Sequence, residues 1–184
     1  MNPASNLVLV GPMGAGKTSI GRRLAAAFGL RFVDADQLLE QRTGASVALI
    51  FDLEGEPGFR RRERGLLREL CSGCGQAIAT GGGAVLDPDN RALLKQSGFV
   101  VHLHASVAQQ LARLERDRAR PLLAAPDRRQ RLEALAGVRE PLYAEVADLR
   151  FDSDGLGVAQ ASERLAALLA ERWQRIPRGD VHVA

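Results

Sequence analysis

At 184 residues, of which 46% are hydrophobic and 26% charged, the chain suffices for one domain with a sizeable core. A formal net charge of +3 permits an anionic partner, but an aromatic content of 4% leaves few rings for base stacking, so a small anion is expected and no nucleic acid. Its apolar runs fall well short of the roughly 20 residues a membrane helix needs, and Met1-Asn-Pro-Ala-Ser-Asn6 lacks the features of a secretory leader, so a cytoplasmic protein with no membrane contact is expected.

The run Asn6-Leu-Val-Leu-Val10, closed by Gly11, reads as a buried parallel strand, and Ile20, Leu24, Ala25 and Phe28 then recur at helical spacing. Further strands are expected over 31–34, 76–80, 99–103 and 149–152. Helices are expected over 36–43, 57–72, 88–97, 106–118, 127–146 and 157–174. Such alternation predicts an α/β fold, a three-layer αβα sandwich on a parallel sheet, as a single domain over 1–184 with a short polar tail at 174–184. With no long apolar seam left over, a monomer is expected.

Between the first strand and the first helix stands Gly11-Pro-Met-Gly-Ala-Gly-Lys-Thr18, the P-loop pattern in the context it requires. Residues without β-carbons let backbone N–H groups and the helix N-terminus wrap a phosphate chain. Lys17 would neutralise the β and γ phosphates of a nucleotide, and the Thr18 hydroxyl would ligate the bridging magnesium. A P-loop does not name the phosphoryl acceptor, so the choice among switches, motors and kinases rests on other residues.

Asp34 and Asp36 close the second strand, where open α/β sheets gather ligands, and are expected to face the phosphates. One would hold magnesium through water and the other orient or deprotonate a hydroxyl; capping of the next helix is the alternative. Gly81-Gly-Gly83 follows the third strand and lets backbone approach a ligand. Arg60 and Arg139 carry planar forks suited to a carboxylate, or are solvated surface. Seven arginines between 113 and 131 flank Pro121-Leu-Leu-Ala-Ala-Pro126, which reads as a mobile lid, or as a basic patch. Cys71 and Cys74 form a lone CxxC at the end of a helical stretch and are expected to be structural thiols, and His102 and His104 ordinary strand residues.

Taken in order, GPMGAGKT, Asp34-Ala-Asp36, FDLEGEPGFRRRE at 51–63, ATGGGAV at 79–85, RPLL at 120–123 and REPLY at 139–143 resemble the signature of the shikimate kinase family. That resemblance implies a five-stranded parallel sheet of the nucleoside monophosphate kinase type with a lid, and ATP-dependent phosphorylation of the 3-hydroxyl of shikimate in aromatic amino-acid biosynthesis. It further implies that Gly14, Ala15, Gly16, Lys17, Thr18 and Ser19 bind ATP phosphates, and that Thr18 and Asp34 serve Mg2+. Asp36, Arg60, Gly82 and Arg139 match the shikimate-binding positions, with Asp36 at the reacting hydroxyl, and Arg120 matches the lid arginine that reaches the phosphates. Lys17, Asp36 and Arg120 are thus the candidate catalytic residues; Glu63 and Arg113 look like supporting ones, over a substrate-binding segment at about 36–63 and a lid at about 113–131. The loop Ser153-Asp-Gly-Leu-Gly157 lacks the basic or amide side chain some members carry, which leaves an adenine contact there to backbone.

Three rivals remain at this stage, the third a purely nucleic-acid-binding module whose affinity would fall steeply with salt. A GTP-binding switch is suggested by Asp52-Leu-Glu-Gly55, although none of the three asparagines, Asn2, Asn6 and Asn90, opens an NKxD motif. A kinase for another metabolite would share Lys17 and the lid but not the arginine pair.

Overall fold

Asn6–Val10 forms β1, and its side chains feed two cores alternately. Leu7 and Leu9 pack with Ile20, Leu24, Val101 and Leu165, while Val8 and Val10 pack with Leu67, Ile78, Val100 and Tyr143. A strand apolar on both faces has to be covered on both, which places it centrally. The computed structural model describes residues 5–114 and 127–174. In it β2 (Arg31–Asp34), β3 (Gln76–Ala79), β4 (Gly98–His104) and β5 (Leu149–Asp152) join β1 in one five-stranded sheet of order β2-β3-β1-β4-β5. Every pairing is parallel, with Leu7 opposite Ala77 on one side and Val8 opposite Val100 on the other.

Helices α1 (Lys17–Phe28) and α7 (Val158–Arg172) cover one face. Residues of α2 (Ala35–Thr43), α3 (Val47–Ser72), α4 (Pro88–Ser97) and α6 (Arg128–Val146) cover the other, giving the expected three layers. α5 (Val107–Leu114) packs beside α6 through Val107, Leu111 and Leu132. Parallel strands bring Gly11, Asp34, Thr80, Ala105 and Ser153 to one sheet edge, where the chain leaves each strand.

The largest departure from the expected elements is α3. A helix expected to begin at 57 begins at Val47, capped by Ser46, whose Oγ accepts the Leu49 N–H at 3.2 Å. Gly55 interrupts it with φ 66° and ψ 178°, so Pro57 stands in the first turn of the second half, where its missing N–H costs nothing. Arg62 straddles the break, donating to both Glu54 oxygens at 2.6 and 2.9 Å. A Gly and a Pro two residues apart read as a turn, and that long-range pair is invisible to local pattern. β4 gains one residue at each end over expectation, and β3 stops at Ala79, one residue short of it. Helix 106–118 is described only as far as Leu114.

His102 on β4 is wholly buried, with its ring 4.9 Å from that of Tyr143 and neither nitrogen hydrogen-bonded. His104 is 5.9 Å away on the same face, and no group of three His, Cys, Asp or Glu able to hold a metal occurs among the described residues. Cys71 is a buried free thiol at the end of α3, and Cys74 an exposed one beyond it. Burial, and then the positive neighbours His104, Arg150 and Lys17, pull the His102 pKa down to about 4. The unfolded chain, titrating near 6.5, therefore binds the extra proton first as pH falls, and stability is lost with falling pH through this window. We expect wild type to lose about 2 kcal/mol between pH 7 and pH 5 from this group. In urea unfolding, His102→Leu should lose correspondingly less; equal losses would exclude His102 as the source.

Candidate active site

The loop from Gly11 to Gly16 links β1 to α1, and Gly14 and Gly16, at φ 76° and 92°, hold left-handed backbone that residues with a β-carbon resist. The turn aims the N-terminus of α1, which starts at Lys17, at the space above the sheet. Lys17 Nζ donates to the Gly11 and Pro12 carbonyls at 2.7 and 2.8 Å, so the ammonium lies over the loop it serves. Arg113 on α5 donates to the Gly14 carbonyl at 2.8 Å and to the Ser153 carbonyl at 2.9 Å, tying the loop to the segment after β5. Ser153, fully buried, donates its hydroxyl to the His104 carbonyl at 3.0 Å. Pattern reading placed Ser153 only in the loop left to an adenine contact through backbone; the buried side chain's own signal is a hydroxyl at a strand end.

The two acids take different partners. Asp34 Oδ2 accepts the Thr18 hydroxyl at 2.6 Å, while Oδ1 caps α2 through the Gln37 N–H at 3.2 Å, so cap and site residue are one. Asp36 already lies in the first helical turn, and its carboxylate meets Gly81 instead of Thr18. The switch from strand to helix at Ala35 thus gives the two acids different neighbours.

Gly81, Gly82 and Gly83 form the floor on which the remaining side chains converge. A Cβ at Gly81 would stand 2.8 Å from Asp36 Oδ1 and 3.1 Å from Glu63 Oε1. One at Gly83 would collide with the Arg60 guanidinium, 2.8 Å from Nη1. One at Gly82 would lie 3.5 Å from both Arg139 Nη1 and the Gly11 carbonyl. Gly81 and Gly83 thus leave room for two acids and Arg60 pressed against the backbone, while Gly82 passes at ordinary contact distance from Arg139 and the P-loop. Arg60 Nη1 donates to Glu63 Oε2 at 2.7 Å, and its Nε and Nη2 reach Glu56 at 3.2 and 3.0 Å. Burial raises the Glu63 carboxyl above the usual range, opposed by Arg60 and reinforced by Asp36. Tyr143, quoted in the sequence only as part of a motif, donates its hydroxyl to the Gly82 carbonyl at 2.5 Å.

Asp52 to Gly55, the suggested switch segment, lies on α3 with Asp52 exposed, and not at a strand end beside the P-loop. Ser19 is exposed in the first turn of α1. Arg120, with Arg116, Arg118 and the segment 115–126 of the expected lid, lies outside the described residues, as do 175–184 of the tail.

A phosphate loop and a cluster of acids and arginines over Gly81–Gly83, side by side at one sheet edge, make this a P-loop kinase in architecture. Residues 13–170 match the family model described as shikimate kinase. Shikimate kinase of Stenotrophomonas maltophilia strain R551-3 is 58% identical over 175 residues, 95% of this chain and 97% of that relative. That of Xanthomonas campestris pv. campestris strain 8004 is 52% identical over 174 residues, with 95% and 97% covered. Among solved structures, shikimate kinase from Acinetobacter baumannii in complex with shikimate superposes with a TM-score of 0.84 at 44% identity, covering 93% of this chain and 96% of that one. This chain belongs to the shikimate kinase family.

Proposed function

We propose that the protein transfers the γ-phosphoryl group of ATP to the 3-hydroxyl of shikimate, giving shikimate 3-phosphate and ADP in aromatic amino-acid biosynthesis. The observation that carries this reading is the convergence of Asp36, Arg60 and Arg139 on Gly81–Gly83, with Gly82 within van der Waals reach of the P-loop. Such a convergence offers two guanidinium forks to a carboxylate and one carboxylate to a hydroxyl, the groups that shikimate carries.

Arg60, Arg139 and the Gly82 backbone bind and orient the acid, and Asp36 aligns its hydroxyl and accepts the proton that hydroxyl gives up. Phosphates lie along residues 14–19, with Lys17 balancing the charge of the transferring group. Thr18 and Asp34 are hard oxygen donors already in contact, which suits magnesium, and these two would hold it. Bound there, Mg2+ would neutralise charge on the β and γ phosphates. By its RPLL motif, Arg120 is the candidate to stabilise the transferring phosphoryl group, within the lid expected over about 113–131. The whole chain acts as one kinase domain, a monomer in the cytoplasm with ATP and shikimate as its partners. No helix among the described residues is long and apolar enough to cross a membrane.

A coupled ADP-release assay with ATP and magnesium tests this reading, run with shikimate, gluconate, nucleoside monophosphates or no acceptor. Release that depends on shikimate alone is the expected result; release without acceptor, or with another acceptor only, would overturn it.

A further inference from the structure

On α3, Arg64 follows Arg60 by one turn and leaves the same face of the helix. The two guanidinium groups meet two points of one segment: Arg60 lies against Gly83, while Arg64 Nε donates to Asp87 Oδ2 at 2.7 Å, with Nη2 on the same oxygen. The Asp87 side chain is only 7% exposed, and its Oδ1 caps α4 by accepting the Asp89 N–H at 2.9 Å. Between Gly83 and Asp87 the chain is stiff. The Ala84 N–H donates to the Gly81 carbonyl at 3.1 Å and the Leu86 N–H to the Gly83 carbonyl at 3.0 Å, closing a 3-10 turn over Ala84–Leu86. α4 holds that turn by its carbonyls, the wholly buried Asn90 amide donating to Ala84 at 3.0 Å and Arg91 Nη1 to Val85 at 2.9 Å. Gly81 to Asp87 is thus one unit with α4, and Arg64 bonds α3 to it at Asp87.

We propose that Arg64 and Asp87 are positioning residues for the acceptor, a pair that sets the register of α3 against the glycine floor and so keeps the Arg60 guanidinium over Gly83. The inference rests on the proposed acceptor site. The hydrogen bonds of Arg60 itself run to Glu56 and Glu63 of its own helix, so they orient the fork on α3 and leave its distance from the floor to the placement of the helix. Apolar packing alone does not set that placement finely, because Phe59, Leu66 and Leu67 meet Val85 and Leu94 through contacts without direction. A groove also opens between the two elements, walled by Pro57, Arg60 and Arg64 on one side and by Leu86, Asp87 and Pro88 on the other. Charge-assisted hydrogen bonds are short and directional, so a pair spanning this groove resists sliding of one wall past the other. Burial acts to raise the Asp87 pKa, but the bonds from Arg64 and the Asp89 N–H outweigh it and hold the carboxyl below its usual range, so the pair stays charged at neutral pH.

Arg64→Met keeps the stem of the side chain and removes the fork. The expected result is a KM for shikimate raised about tenfold, the size of effect that losing hydrogen bonds to a charged partner gives, with the KM for ATP nearly unchanged. Asp87→Asn retains an oxygen to cap α4 and should show the same split between the two substrates. In the double variant the second substitution should add less than about twofold, as for residues acting through one another. Arg68→Met is the control: its exposed guanidinium lies 3.9 Å from Asp89, and its loss should leave both KM values as in wild type. Thermal melts establish that each variant is folded at the assay temperature. Equal rises in both KM values, an unchanged shikimate KM in Arg64→Met, full additivity in the double variant, or a rise of the same size in Arg68→Met would each overturn the proposal. Failure of wild type to release ADP in response to shikimate would instead remove the acceptor assignment itself.

Discussion

Lys17→Met is expected to lower kcat by about 10³-fold while leaving the fold intact, since one preorganised charge aimed at a transferring phosphoryl group is worth that order. Methionine matches the reach of the side chain without the charge. In the structure the ammonium donates to the loop carbonyls of Gly11 and Pro12, and neither residue belongs to a core cluster. Losing these bonds should cost the fold about 1 kcal/mol each at most. Single-turnover rates with saturating ATP, alongside a thermal melt, separate the two effects. A variant that melts as wild type and still transfers phosphate at a comparable rate would overturn the role given to the P-loop lysine.

What the sequence makes legible follows from range. The P-loop is eight contiguous residues whose glycines, lysine and threonine are fixed relative to one strand and one helix, so its geometry is a local matter. Strands β1 to β5 are likewise readable, as short runs between breakers that are apolar throughout in β1 and alternate in β5, but their spatial order, with β3 between β2 and β1, depends on which helices cover which face. The acid and arginine cluster beside the P-loop is the other extreme. Asp36, Arg60, Glu63 and Arg139 come from α2, α3 and α6, and only the fold brings them to Gly81–Gly83. Periodicity alone leaves arginines on helices indistinguishable from solvated surface; the ordered motifs singled out Arg60 and Arg139. Tyr143 escaped for a related reason. A buried tyrosine needs a hydrogen-bond partner, but the partner, Gly82, lies 61 positions away.

Arg139→Ala is the second large effect, expected to weaken shikimate binding by about 2–5 kcal/mol, or roughly thirtyfold to several thousandfold, the cost of truncating one side of a buried charge pair. Arg60 is the less clean target of the two. Its guanidinium already balances Glu56 and Glu63, and Glu63 is 4% exposed with its other oxygen unbonded, so Arg60→Ala would strand a buried carboxylate and weaken the fold together with binding. Arg139 has its Nε buried without a hydrogen bond and its Nη1 beside Gly82, a fork with donors still to be satisfied on the acceptor side. Calorimetric titration of shikimate into wild type and Arg139→Ala, with ATP binding as the internal control, measures the difference directly. Loss confined to shikimate places the guanidinium on the carboxylate. Unchanged shikimate affinity removes Arg139 from the site, and an equal loss for ATP reassigns it to the support of the P-loop across Gly82.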